Sequence, residues 1–536
     1  MRWKEQLAAY EPQTETEKQA KEEILSAAET YGMSIFRRDC PAGGHITCSG
    51  MILDETMQHV LMVHHNIYRS FSWTGGHADG DTDFLAVAVR EAKEETGITV
   101  AQPLCSSILS LDVLPVAAHK KNGQSVAAHV HYNVSYGLIG LKREKLKPKP
   151  DENSAVQWIP IEKMQTICRE KNMLPIYEKL IDRMRAVRQQ QQVLLQKIVQ
   201  PLCQWYPAHA RNLPWRRSCD PYHIWVSEIM LQQTRAETVK DYYTRFLARF
   251  PTIQDLAQAD EASVHKIWEG LGYYTRVRNL HAAAKGICRM YDGRFPTRFE
   301  EIRRLPGVGD YTAGAICSIC YGQPVAAVDG NVLRVVMRLQ DSFAEIDRLS
   351  VKQRVIRELS AVYPKDNGTL CSMLTQALME LGATVCIPGK NPNCTVCPLA
   401  SLCLSRARQT FDQLPVRKPK APKKIVPMTV FILCCDDQYA VCQRPMYGLL
   451  AGLWEFPNIE QSMDEQQIIH QVRTWGCKPL SITRTAEHTH VFTHLQWQMV
   501  GVYVSCGIQS SIFQWKTMEE ITKELTIPAA FQKFFL

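Results

Sequence analysis

No run of eighteen apolar residues occurs in this 536-residue chain, which excludes an ordinary membrane-spanning helix. The opening stretch lacks the apolar core of a secretory signal and holds too many acids for an organelle transit peptide. A cytoplasmic protein is therefore expected. No solenoid-type repeat is evident, and 45% hydrophobic against 22% charged residues is the balance of a soluble globular protein. Cysteine is not scarce, at 19 residues, but without a secretion signal the thiols are expected to stay reduced. Most stand singly among apolar neighbours, as in Ile316-Cys317 and Val441-Cys442, and read as core filler.

The length exceeds one hydrophobic core, so about three domains are expected. The net charge of +8 is uneven: residues 1–192 hold 23 Lys and Arg against 24 Asp and Glu, and the rest hold 39 against 30. That excess weakly favours a polyanionic partner for the later part. Two breaks stand out. Gln189 to Gln192 is a polar tract, either a link or part of a continuous helix. Pro415 to Pro427 has four prolines and five cations with no acid, and reads as an extended basic linker over 411–427. Strand patterns at His45–Ile52, His59–Val63 and His129–Tyr136, mixed with helical segments, predict an α+β domain over 1–188. Residues 193–410 are mostly helical, with Val239, Tyr243, Phe246 and Phe250 on one face. Met428–Cys434 and Tyr439–Gln443 around Asp436-Asp437 predict a hairpin, and a second α+β domain over 428–536.

Several patterns carry chemistry. Phe299 to Leu305 reads as a short helix, Pro306-Gly307-Val308-Gly309 as a tight turn, and Asp310 as the N-cap of a helix ending near Gly322. Gly307 and Gly309 would let a partner approach, and helix N-terminal N–H groups favour an anion such as a phosphodiester; an ordinary αα-hairpin looks the same. Cys386, Cys394, Cys397 and Cys403, separated by seven, two and five residues, suit an iron–sulfur cluster or a structural zinc. Glu91, Glu94 and Glu95 fall at i, i+3 and i+4, one helix face of carboxylates that suits Mg²⁺ or Mn²⁺ as well as it suits a solvated acidic surface.

Leu305-Pro-Gly-Val-Gly-Asp-Tyr-Thr-Ala-Gly-Ala-Ile316, followed by Val328-Asp-Gly-Asn-Val-Leu-Arg334, resembles the helix-hairpin-helix base-excision glycosylases, and among them the MutY adenine glycosylases, over about residues 197–410. Removing a purine from its sugar needs a proton for the departing base and negative charge beside an oxocarbenium-like sugar. The resemblance makes Glu228 the proton donor and Asp329 the carboxylate, with Tyr311 and Asn331 assisting. Taken alone, Glu228 would pass for a solvent-facing helix residue and Asp329 for a turn or cap. Tyr311 stands where the lyase branch, the endonuclease III-like enzymes, follows the hairpin with a lysine, so base removal without strand cleavage is implied. Gln233 and Tyr273 match the residues that wedge the duplex when the base is extruded, and Gln376 one that contacts the adenine edge. The cysteine loop resembles the family's [4Fe-4S] loop with one additional residue in its first gap.

Gly452-Leu-Trp-Glu-Phe-Pro457 and His490-Val-Phe-Thr-His494 resemble the C-terminal lesion-recognition domain of the same family, a Nudix relative. There Phe492, Thr493 and His494 would meet the oxidised guanine, with Thr493 in place of the usual serine. No Arg-Glu and Glu-pair signature follows residue 428, so binding without hydrolysis is implied. At the other end, Gly75-Gly76 through Arg90-Glu91-Ala-Lys-Glu94-Glu95-Thr-Gly97-Ile98 resembles a Nudix box, implying metal-assisted hydrolysis of a nucleoside-diphosphate derivative. Thr82 stands where that pattern has a glutamate, flanked by Asp79, Asp81 and Asp83. Together these readings predict an all-α helix-hairpin-helix core with an iron–sulfur loop between two α+β Nudix-like domains. They describe a monomeric, bacterial-type, nucleoid-associated protein with no membrane partner that excises adenine opposite 8-oxoguanine or G in double-stranded DNA. The alternatives are a Nudix nucleotide-pool hydrolase with a DNA-binding module, and an endonuclease III-like lyase.

Overall fold

The computed structural model describes residues 3–121, 124–418 and 422–535. Positions 1–2 and 122–123 of the N-terminal domain, 419–421 of the basic stretch, and 536 lie outside the described residues. By contacts the chain divides into two compact units that do not follow chain order. One comprises Met1–Ala210, Val328–Pro364 and Met373–Lys418; the other comprises Arg211–Ala327, Lys365–Ser372 and Pro419–Leu536.

The first unit is built on an eight-stranded mixed sheet. Its central strand Gly44–Asp54 is buried along its whole length, paired in parallel with His129–Gly140 and antiparallel with His59–His65 and Thr74–His77. A strand covered on both faces needs apolar residues at both parities. Ile46 and Cys48 pack with Ile24 and Phe84 from the helices Glu15–Tyr31 and Phe84–Thr96, while Met51 and Leu53 pack with Tyr177, Leu180 and Met184 of the helix Leu174–Gln196. Buried Glu17 ties two of these helices together through Arg183 and Lys179. Burial alone would raise its pKa, but those cations and the Gln13 N–H hold it near 2.

Two expected breaks are structured. Gln189 to Gln192 lies inside the continuous helix Leu174–Gln196, and Gln191 is buried, donating to the carbonyls of Leu104 and Gln340. A polar side chain with buried carbonyl partners looks, in sequence, like any solvated glutamine. The described ends of the 411–427 stretch are structured too: Ile346 N–H donates to the Val416 carbonyl, Lys418 N–H to Asp347, and Lys424 already begins the strand Lys424–Cys435.

The second unit carries a helical body. Val239, Tyr243 and Phe246 of the helix Ala236–Arg249 are buried, as is Phe250 just beyond it, and Phe246 packs edge-on against Trp268. Its seven-stranded sheet runs Lys424–Cys435 parallel to Leu495–Cys506, with Gln438–Gln443 returning antiparallel through the Asp436-Asp437 turn. Among the described residues no helix is long and apolar enough to cross a membrane.

Candidate functional site

In the second unit, Glu228 lies on the helix Pro221–Leu231, which Asp220 caps by accepting from the N–H groups of Tyr222 and His223. Every residue from Ile224 to Met230 is buried, and Glu228 itself is only 5% exposed. A carboxyl there is held largely away from water. This helix packs against Asp310–Tyr321, whose first turn bears the half-buried Tyr311. The hairpin leading into that helix differs in one detail from the sequence expectation: Gly309 is the N-cap, and Asp310 is the first helical residue, ion-paired with Arg303. Gly309 has no side chain, so none caps the helix start. Gly307 has φ 76°, and a Cβ there would sit 2.7 Å from the Asn279 side chain, whereas Gly309 faces open space. The turn thus leads into a helix start that no side chain caps, a geometry that suits a phosphate.

The loop residues Gln233 and Tyr273 both adopt left-handed backbone conformations, at φ 60° and 49°, and both are exposed. Such strain in non-glycine residues persists only where the surroundings enforce it. The enforcer is Arg276, a residue to which the sequence reading gave no role. Its buried guanidinium donates to the carbonyls of Ile229, Met230 and Gln232 at 3.0, 2.8 and 2.6 Å, and to those of Leu271 and Gly272 at 3.1 Å each. One side chain thereby locks the end of the Glu228 helix to the Tyr273 loop. The Tyr273 hydroxyl lies 3.5 Å from the Thr493 hydroxyl. Thr493 sits at the tip of the hairpin formed by Pro479–Val491 and Leu495–Cys506, where the Phe492 ring packs edge-on between His490 and Trp497. Lys423 donates to the Phe492 carbonyl, and Lys424 N–H to that of His494. The expected duplex-wedging tyrosine and the expected lesion-recognition tip are therefore neighbours.

In the first unit, Asp329 is the N-cap of Gly330–Gln340, accepting from Val332 N–H at 2.8 Å through one oxygen and from the Asn331 amide at 3.0 Å through the other. Arg334 donates to the Asn331 side-chain oxygen at 2.9 Å, to the Gly382 carbonyl at 2.6 Å and to the Cys386 carbonyl at 2.8 Å. One turn further on, the fully buried Arg338 holds the carbonyls of Leu414, Ile387 and Gly389 and approaches the Cys386 thiol at 3.5 Å. Cys386, Cys394, Cys397 and Cys403 line one cavity together with Arg338 and Arg406. Burial, with the neighbouring cysteines adding to it, pushes the Cys397 thiol up to about 12. Four converging sulfurs, beside two guanidiniums that would offset thiolate charge, are a donor set that fits a metal centre. Gln376, on Gly368–Thr384, accepts from the Tyr206 hydroxyl at 2.9 Å.

Also in the first unit, Glu91, Glu94 and Glu95 share the helix Phe84–Thr96 but not one environment: Glu94 is exposed, Glu91 half-buried, Glu95 buried. Glu95 accepts from the N–H of Gly75 at 2.9 Å and from Asn153 at 3.3 Å. Burial pushes its pKa up to about 8, against the pull of those donors. Burial, and Glu94 beside it, also raise Glu91. A Cβ at Gly76 would strike the Glu91 carboxyl at 2.4 Å, which explains the glycine. The three aspartates around Thr82 are committed elsewhere: Asp79 to Arg38, Asp81 to Arg90, and Asp83 as the helix N-cap.

Comparison with known proteins places three domain matches along the chain. Residues 226–359 match the HhH-GPD superfamily of base excision DNA repair proteins, and residues 45–184 and 428–536 each match a NUDIX domain. The chain is 34% identical over 367 residues to the adenine DNA glycosylase of Homo sapiens, covering 56% of this chain and 66% of that protein. It is 33% identical over 399 residues to that of Mus musculus, covering 62% and 76%. With that of Buchnera aphidicola subsp. Baizongia pistaciae it shares 34% over 309 residues, covering 57% and 85%. Carrying an HhH-GPD core and Nudix domains, the chain belongs to the MutY-type adenine DNA glycosylase family.

Proposed function

We propose that this protein hydrolyses the N-glycosidic bond of adenine mispaired with 8-oxoguanine or G in duplex DNA, leaving an abasic site. The observation that carries the reading is Glu228, a carboxyl buried on an apolar helix packed against the helix that the hairpin opens. Glu228 protonates the departing adenine, and Asp329, its two oxygens oriented by Val332 N–H and Asn331, supplies negative charge to the sugar cation. Gln233 and Tyr273, strained and exposed, fill the gap left by the extruded nucleotide. Phe492, Thr493 and His494 meet the opposite base, with the Thr493 hydroxyl as the polar contact. Tyr311 in place of a lysine supports hydrolysis over lyase chemistry. Cys386, Cys394, Cys397 and Cys403 would hold a [4Fe-4S] cluster that orders the cationic loop. Glu91, Glu94 and Glu95 would hold Mg²⁺ or Mn²⁺ for pyrophosphate hydrolysis, without help from the aspartates around Thr82.

Single-turnover assays on duplexes with A opposite 8-oxoguanine, G or T test the first activity. Glu228→Gln should lower adenine release at least about 100-fold while leaving duplex binding intact, in line with loss of a general acid. Unchanged release, or a covalent adduct trapped by borohydride, defeats the proposal. The second activity requires Mg²⁺-dependent turnover of nucleoside-diphosphate derivatives by the full chain, abolished by Glu94→Gln.

A further inference from the structure

The first unit contains a cluster of imidazoles to which the proposed function gives no role. His45 lies on the central strand Gly44–Asp54 and pairs in register with His131 on the parallel strand His129–Gly140. The two-residue period of that strand puts His129 on the same face. His77 ends the strand Thr74–His77 and pairs with Thr47, whose parity matches His45. Ring centroids are 4.9 Å apart for His45 and His77, 5.0 Å for His45 and His131, and 5.2 Å for His77 and His131. One ring nitrogen from each of His45, His77 and His131 lies within 4.8 Å of the others. The Nε2 atoms of His129 and His131 are 3.2 Å apart.

We propose that His45, His77 and His131, with His129 as a further donor, form a binding site for a zinc-class transition-metal ion. Zinc–nitrogen bonds of about 2.0–2.1 Å place tetrahedral ligands about 3.3–3.4 Å apart. The His129–His131 spacing already meets that, and side-chain rotation closes the rest. A cluster of stacked histidines could instead be plain packing. Against that, His45 is only 4% exposed and its Nε2 has no hydrogen-bond partner among the described residues. A buried polar nitrogen of that kind calls for a partner, and a metal ion supplies one. The nearby Arg38 guanidinium would repel a cation, but Asp79 neutralises it through two hydrogen bonds, at 2.9 and 2.7 Å. All-nitrogen ligation selects zinc, copper or nickel over magnesium, so this site is chemically separate from the oxygen set Glu91, Glu94 and Glu95.

The test is zinc uptake by the full-length, chelator-stripped protein, titrated against a chromophoric chelator with iron content measured in parallel. Wild type should take up one more tight equivalent than the double variant His77→Gln, His131→Gln at equal iron content and equal far-ultraviolet circular dichroism. Equal uptake by both, or none by wild type, overturns the proposal. Should the double variant not fold, Co²⁺ binding to wild type decides. Visible bands of a nitrogen-ligated ion without a thiolate charge-transfer band support the site; a thiolate band alone, or no spectrum, overturns it.

Discussion

Glu95 shows how a single residue can make the protein respond to both pH and metal. Its carboxyl titrates near 8 when folded, because burial penalises the charge, whereas its ordinary value is 4.5. A carboxyl raised on folding stabilises the fold when protonated, so its contribution is complete below the unfolded value and declines as pH rises through the folded one. In metal-free protein, the unfolding midpoint of the N-terminal domain should therefore fall between about pH 4.5 and pH 8. Mg²⁺ should restore it more at pH 8 than at pH 6, since a bound cation rewards the ionised form. Thermal unfolding with and without Mg²⁺, against Glu95→Gln as control, measures this. A midpoint equally flat in both proteins would show that Glu95 is not strained. The roles expected of Glu228 and Asp329 rest on the family resemblance, because either residue alone passes for a solvent-facing helix residue or a cap. The cysteine spacing by itself suits a cluster or a zinc. Arg276 was not readable. An arginine near the start of a helix normally faces solvent, and only the fold reveals that this one is buried among backbone carbonyls.

At the scale of elements, the helix Gly330–Gln340 joins Asp329 to the cysteine loop. Asp329 caps it, Asn331 orients Asp329, and Arg334 orients Asn331 while gripping the Cys386 carbonyl. Arg334→Leu would leave the Gly382 and Cys386 carbonyls and the Asn331 amide without their cationic donor, at about 1–3 kcal/mol for each buried group. Both ends should suffer: less iron retained per chain, and slower adenine release with duplex binding reduced far less. Iron quantification and single-turnover kinetics on the same preparation read the two effects. A slow variant with full iron would confine Arg334 to the carboxylate side. Of these elements the sequence disclosed the helices, the hairpin turn and the strand pairs around Asp436-Asp437, since periodicity and turn residues mark them. It misplaced the N-cap by one residue, because aspartate is a favoured cap in general and nothing local shows that Gly309 enters extended.

Over the whole molecule, chain order suggests three beads on a string, and the contacts do not. The polar tract at Gln189 to Gln192, readable as a link or as helix, is the part of a continuous helix through which Gln191 bonds to Leu104 and Gln340. A second tie lies nearby. Asp341 is 0% exposed and ends the Gly330–Gln340 helix at φ 51°. It accepts from the N–H and hydroxyl of Ser106 at 3.2 and 2.5 Å, from Arg408 at 2.9 Å, and from the Thr410 hydroxyl. A buried carboxylate is tolerable only with such a full set of donors. One of its donor residues comes from the N-terminal domain and two from the segment that follows the cysteine loop. Removing the carboxylate should cost about 3–5 kcal/mol, because Arg408 and the hydroxyls lose their acceptor together. Ser106→Ala alone should cost less, since the Ser106 N–H and the other donors remain. If the N-terminal domain is integral to this unit, the double variant Ser106→Ala, Asp341→Ala should cost less than the sum of the singles, by more than about 0.5 kcal/mol. Chemical denaturation of the four proteins gives that coupling, provided the transitions of the unit coincide. Strict additivity would mean that the N-terminal domain merely rides on the glycosylase, and that its removal should leave iron content and adenine release untouched.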